Sequence, residues 1–266
     1  MNNRSYIPTE LIYQIFSLLI AFIIVHSVYI SVIRPQADSF MQAEHKAMLA
    51  DTSYVQKRNF YVVVRDYEQE ACFILMFWAL AIMSFKGLSS WKQNKLLDVD
   101  LLKLPFDLPI GPEDTKSLLQ RISEFPENIH HYLLPRALKM TVQRFSATRN
   151  VHDAHSAMRD ICESEAQRLE TELSIIRYIA WAIPSVGFIG TVRGIGDALS
   201  QANRAMEGDI TGVTESLGVA FNSTFIALVI SIVLMFFIHQ LQLLQERLVL
   251  DSEDYCDQNL VSRLRS

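Results

Sequence analysis

The chain has 266 residues, of which 50% are hydrophobic and 20% charged, and its formal net charge is −5. This acidic balance offers no basic footprint for nucleic acid, so no nucleic-acid binding is expected. Cys72, Cys162 and Cys256 have neither CxxC nor paired spacing, which predicts no disulfide framework and no metal site. No phosphate loop, nucleophile elbow or HExxH motif occurs, so the sequence predicts neither an enzyme nor a bound cofactor.

Residues 1–33 are predicted to be an N-terminal segment followed by the first transmembrane helix. The uncharged segment Leu11–Ile33 has 23 residues, which is enough to cross a bilayer as a helix. It is too long for a signal peptide and no cleavage site follows it, so we expect it to be retained. His26 lies inside it. Its imidazole is expected either to bond to a neighbouring helix or to belong to a functional site.

A loop, a second span and a large polar region are predicted next. The loop covers residues 34–66, and the second span covers residues 67–88 around an uncharged centre. Lys86, Lys92 and Lys95 closely follow this centre, which favours the cytoplasm for that end of the helix. The polar region at 89–172 and both termini would then be cytoplasmic, and the 34–66 loop would lie on the opposite side.

The cytoplasmic region is predicted to be helical after a loop rich in Pro and Gly at 98–112. Helical periodicity begins at Glu113 and is broken near Pro126 and Pro135. A later apolar stripe leads without a breaker into the third span, so we expect one helix that protrudes well beyond the membrane. That stripe comprises Met158, Ile161, Leu169, Leu173 and Ile176. The predicted fold class is all-α, a polytopic membrane protein with four transmembrane helices and cytoplasmic helical extensions.

Residues 173–244 hold the third and fourth spans, and a cytoplasmic tail follows at 245–266. Both spans carry small and hydroxyl-bearing residues at helical spacing, where larger aliphatic residues would be more favourable in lipid. The stripe of the third span is Gly187, Thr191, Gly194 and Ala198, with Gly190 beside it, and that of the fourth span is Ala220, Thr224, Ala227 and Ser231. Pro184 removes the usual donor to the carbonyl of Ala180 and should kink the third span.

These stripes have two interpretations from periodicity alone, close helix packing and the lining of a polar path. Threonine often hydrogen-bonds the carbonyl four residues before it in membrane helices, which favours packing. Neither stripe carries a titratable side chain on its threonine face. If ions pass here, a partner must supply the titrating group.

Three elements of these spans resemble the MotA/TolQ/ExbB proton channel family. They are the pair Pro184 and Gly187, a GTVxGI element at Gly190–Ile195, and an AxxxTF stretch at Ala220–Phe225. The order and spacing of the three elements make the resemblance specific. It implies a bacterial inner-membrane channel subunit that forms a homopentamer around two copies of a single-span partner of the MotB/TolR/ExbD type.

The resemblance also implies roles for individual residues. Thr191 and Thr224 would line the ion path beside an essential Asp of the partner, and Pro184 would shape the helix for movement. Rotation of the pentamer would convert ion-motive force into mechanical work, with H⁺ as the expected ion and Na⁺ as the alternative. The 34–66 loop would then be periplasmic.

Arg193 departs from the family pattern, because it stands where the motif is usually uncharged. It is expected to pair with Asp197 one turn further on, or to extend to the membrane interface, or to act in gating. Two other functions stay open. A non-conducting scaffold would use the small-residue stripes for packing only, and a substrate transporter would show internal repeats, of which none is visible.

Overall fold

The computed structural model describes residues 9–50, 59–102 and 109–265. Residues 1–8, 51–58, 103–108 and 266 lie outside the described residues. They include parts of the predicted N-terminal segment, of the 34–66 loop and of the loop at 98–112, and the last residue of the tail.

The described residues form helices and no β-strand, which confirms the predicted all-α class. One isolated parallel bridge joins Ile110 to Leu264. The α-helices are α1 Thr9–Val28, α2 Arg34–Ala50, α3 Phe60–Val63, α4 Tyr67–Leu97, α5 Thr115–Ser123, α6 Leu133–Thr148, α7 Val151–Glu172, α8 Ser174–Ser200, α9 Ala202–Met206 and α10 Thr211–Asn259.

Four of these helical stretches are long and apolar enough to cross a membrane, in agreement with the prediction. They cover Glu10–Met48, Tyr67–Leu97, Val151–Ser200 and Thr211–Arg263. The expected helical lead into the third span is also present, since α7 and α8 are separated only by Leu173. The chain is therefore a multi-pass membrane protein.

The 34–66 loop is a correction, because its described part is largely helical. A π-helical segment at Tyr29–Ile33 joins α1 directly to α2, and α3 follows at Phe60–Val63. Pro35 is the second residue of α2, and a proline inside a helix cannot donate to the carbonyl four residues before it and its ring clashes there. The π segment provides the wider turn that accommodates such a residue without ending the helix.

The chain divides into two compact units. The first comprises residues 1–83 and 175–238, and the second comprises residues 84–174 and 239–266. In the first unit, α1 is attached to α4 by hydrogen bonds as well as by apolar packing. Tyr13 Oη donates to the carbonyl of Ala81 at 3.1 Å, and Trp78 Nε1 donates to the carbonyl of Gln14 at 2.9 Å.

The second unit has a core of large apolar side chains. Residues of α5, α6 and α7 pack there with the end of α10. Pro135 lies in the first turn of α6, where a missing N–H costs nothing. The core members include Leu118, Ile122, Leu134, Leu138, Val142, Phe145, Met158, Cys256 and Leu260.

Candidate functional site

The predicted stripes of α8 and α10 pack directly against each other within the first unit. Gly187 lies so close to Ala227 and Ser223 that a methyl group there would overlap the Ala227 side chain. A Cβ on Gly194 would come within 2.8 Å of both the side chain and the backbone nitrogen of Ala220. The two backbones approach this closely because the residues between them are glycine and alanine.

Thr191 and Thr224 meet at the centre of this contact. Their hydroxyl groups are hydrogen-bonded to each other. Thr191 Oγ1 also lies 3.1 Å from the carbonyl oxygen of Ala220 and 3.3 Å from that of Gly187. Thr224 Oγ1 lies 3.2 Å from the same Gly187 oxygen. Both side chains are half-buried.

The hydrogen-bond inventory of this pair leaves acceptor capacity unused. Two hydroxyl protons are shared among two carbonyl oxygens and two hydroxyl oxygens, and each hydroxyl oxygen has two lone pairs. If both protons go to the carbonyls, the two hydroxyl oxygens face each other without a donor between them. The arrangement therefore suits an added donor or cation, such as a protonated carboxyl group.

The remaining stripe residues extend the packing on either side of the threonines. Ala220 and Ala227 are fully buried, and Ser231 donates its hydroxyl to the carbonyl of Ala227 at 2.8 Å. Gly190 lies against Ser223, where an added Cβ would come within 2.6 Å of the serine side chain. Ser223 is thus a polar contact residue that the stripe pattern alone does not include.

Pro184 lies inside α8, and the helix continues through it to Ser200. The carbonyl of the preceding residue, Ile183, accepts a long contact from Cys72 Sγ at 3.7 Å. Helix α4 therefore packs against α8 at the level of the proline.

Arg193 forms its closest ion pair with Glu68 of α4 rather than with its predicted partner. Its Nε and Nη2 donate to the two carboxylate oxygens of Glu68 at 2.7 and 2.8 Å. Asp197 Oδ2 lies 4.0 Å from the same guanidinium. A two-point pair of this kind holds α4 and α8 in a defined orientation.

Three polar residues at the beginning of α4 were missed by sequence reasoning. Glu68 binds Arg193, and Gln69 Nε2 lies 3.3 Å from Ser223 Oγ. Glu70 is only 5% exposed and binds His26 Nδ1 at 2.5 Å as well as Arg34 Nη2. The sequence does show two acidic residues, Glu68 and Glu70, at the edge of the second span. It does not indicate which basic residues they bind. His26 is hence bonded to a neighbouring helix, one of its two predicted environments.

Asn222, which is on α10 next to the site, lines a cavity of about 230 Å³. Glu44, Asp66 and Glu215 also line this cavity, and Arg65 is its basic residue. Burial raises the pKa of the Asp66 carboxyl, while Arg65 and Arg193 act in the opposite direction. The cavity thus has three carboxylates and one guanidinium in a largely apolar lining, and it belongs to the first unit.

The comparison with known families adds one finding. The sequence model of the MotA/TolQ/ExbB proton channel family matches residues 127–254. No curated protein and no solved structure matches the chain. The matched residues include α8, both threonines and most of α10, and the family supports a channel type of function. The resemblance of this chain to the MotA/TolQ/ExbB proton channel family, predicted from three short elements, is thus confirmed over residues 127–254.

Proposed function

We propose that this protein is the ion-conducting subunit of a bacterial inner-membrane motor that converts ion-motive force into mechanical work. Its transported ion is H⁺, with Na⁺ as the alternative. The observation that carries the proposal is the contact of Thr191 with Thr224 between two membrane-spanning helices, together with the family match over the same residues.

The chemistry of the threonine pair supports a path that exchanges hydrogen-bond partners. Two hydroxyl groups and the carbonyl oxygens of Gly187 and Ala220 offer alternative positions for two protons. A protonated carboxyl group can donate into this set. The hydroxyl protons can then turn towards the carboxylate after it loses its proton. The same oxygens would serve as ligands for Na⁺.

The carboxyl group comes from a partner in this proposal. The nearby carboxylates of the chain are engaged, since Glu68 binds Arg193 and Glu70 binds His26 and Arg34. A single-span protein with a membrane Asp, of the MotB/TolR/ExbD type, would provide the missing acid. A homopentamer around two copies of it gives every Thr pair access in turn.

Thr224→Val tests the proposal, because valine keeps the shape of threonine and removes the hydroxyl. We expect loss of ion flux in vesicles that hold the complex with its partner, and unchanged assembly on gel filtration. Thr224→Ser is the matched control and should retain flux, since it keeps the hydroxyl. Normal flux in Thr224→Val would refute the path.

A non-conducting scaffold is the second candidate, and the internal hydrogen bonds of the threonines favour it. Both hydroxyls have partners within the chain, as a purely structural contact requires. This function predicts a stable assembly without a carboxylate-bearing partner. Co-purification of a single-span protein with a membrane Asp would argue against it.

A further inference from the structure

The second unit contains a polar layer at one level of the helices α4, α7 and α10. Ser90 and Gln93 of α4, Glu165 of α7 and Gln245 of α10 are all at least nine-tenths buried. Their neighbours along the same helices include apolar core residues such as Leu169, Leu241 and Leu248. A buried polar layer of this kind is costly unless each group has a partner.

Contacts above and below Gln245 set the register of α4 and α10. A Cβ on Gly87 of α4 would lie 3.8 Å from the side chain of Leu241 of α10. Leu101, four residues after the end of α4, donates its backbone N–H to Tyr255 Oη at 3.1 Å, and both contacts join residues 154 positions apart. The two helices therefore run in the same direction. Gln245 lies at the level of Trp91, within one turn of both Ser90 and Asn94.

The register of α7 places Glu165 near the same level. Arg159 of α7 contacts Glu253 of α10 at 3.5 Å, and Lys86 of α4 contacts Glu172 of α7 at 2.8 Å. Helix α7 thus runs in the opposite direction to the other two. Gln245 is opposite the turn between Glu165 and Leu169.

Some members of the layer have partners and others do not. Gln93 Oε1 accepts from the backbone nitrogen of Leu133 at 3.0 Å, and the Glu165 carboxylate binds Arg136 and Arg168. In contrast, Nε2 and Oε1 of Gln245 are both buried without a hydrogen-bond partner in the part of the chain that the structure describes. Oδ1 of Asn94, one turn away on the adjacent helix, is in the same condition.

The three unpaired atoms of Gln245 and Asn94 include both a hydrogen-bond donor and acceptors. Gln245 offers one donor group and one acceptor, and Asn94 offers an acceptor. A water molecule donates two hydrogen bonds and accepts two, and buried waters are typically held by about three polar groups. A leucine at position 245 would suit the apolar positions on either side of it, so the amide points to a ligand that is itself polar and small.

We propose that the unpaired polar atoms of Gln245 and Asn94, beside Ser90 of the polar layer, bind internal water and that this site relays the transported protons through the second unit. The relay rests on the proposed channel function, whereas the water site does not. Lys86 is also buried on α4, one turn before Ser90 in the second unit, and its ion pair with Glu172 gives the proposed relay a charged end.

Cysteine accessibility in the full-length protein in membrane vesicles tests the water site. Gln245→Cys, Leu241→Cys and Leu248→Cys are treated with a small uncharged thiosulfonate, and labelling is measured by mass spectrometry. Native Cys256, buried on the same helix, is the reference in every sample. A thiol in contact with water ionises and reacts, so we expect labelling at position 245 at least about tenfold faster than at 241, 248 and 256.

Equal rates at the three substituted positions would overturn the water site. Ser90→Cys is nearly isosteric and keeps the test decisive if Gln245→Cys does not fold. It should be labelled at the faster rate as well, and a rate no higher than that of Leu241→Cys would contradict the proposal.

Gln245→Leu tests the relay in vesicles that hold the complex with its partner. We expect proton flux to fall at least about tenfold, while gel filtration shows the assembly unchanged. If Thr224→Val abolishes flux and Gln245→Leu does not change it, the relay is wrong and the channel function stands. If neither substitution changes flux, the channel function itself fails, and the labelling rates still decide the water site.

Discussion

The two units of this protein pack their helices by opposite means. In the first unit, α8 and α10 meet through Gly187, Gly194 and Ala220, so the contact depends on the absence of side chains. In the second unit, α6 and α7 meet through large residues such as Leu138, Phe145 and Met158. In lipid, aliphatic side chains are already well solvated, so helices associate through close backbone approach. In water, the burial of apolar area is the main stabilising effect.

The largest expected effect is in the second unit, where removing volume should be damaging. Leu138 is fully buried in the α5–α7 core, and Leu138→Ala should lower the free energy of unfolding by about 2–5 kcal/mol. Thermal unfolding followed by circular dichroism measures the loss. Met140→Ala is the control on the same helix, since Met140 is exposed. A similar loss in both variants would show that this unit is not held by its core.

In the first unit, adding volume should be damaging. Gly187→Ala introduces a methyl group that overlaps Ala227, and we expect a loss of about 1–3 kcal/mol from overpacking. Gly196→Ala is the matched control on the same helix, because a Cβ there meets no atom within 4 Å among the described residues. It should leave stability unchanged or raise it by up to about 1 kcal/mol. Equal tolerance at both positions would contradict the close contact.

The smallest expected effect concerns the ion pair of Arg193 with Glu68. Arg193 is partly exposed, with 44% of its side chain accessible, so solvent screening reduces the value of the pair. A double-mutant cycle with Arg193→Gln and Glu68→Gln should give a coupling energy of about 0.2–1 kcal/mol. A coupling energy above this range would indicate that the pair is shielded from solvent, for example by a neighbouring subunit. It would also show that the ion pair, and not packing alone, fixes the position of α8.

Much of this comparison could be predicted from the sequence, because helical periodicity reveals the faces of each helix. The four candidate spans, the unbroken lead of α7 into α8 and the two small-residue stripes follow from spacing alone. Periodicity does not reveal which faces meet, so the pairing of Arg193 with Glu68 and of His26 with Glu70 was not predicted. Gln245 also escaped notice, since one amide inside a long apolar repeat looks like an ordinary substitution.

The helical character of residues 34–50 was missed for a different reason. The segment is polar and begins with Arg34 and Pro35, a composition that usually marks a loop. Its helix is continuous with α1 only because the π segment absorbs the proline, and no composition rule anticipates a five-residue π turn.

The π segment at Tyr29–Ile33 also determines the direction in which the side chains of α2 point around the helix axis. Ser17, Ala21 and Val25 are buried at every fourth position before it, and Tyr29, its first residue, continues this spacing. After it, Ala37 and Glu44 are buried seven residues apart. One extra residue in a turn rotates the following helix by roughly 100°. This rotation places Arg34 beside the buried carboxylate of Glu70. The ion pair between Arg34 and Glu70 therefore depends on the one additional residue that the π turn accommodates.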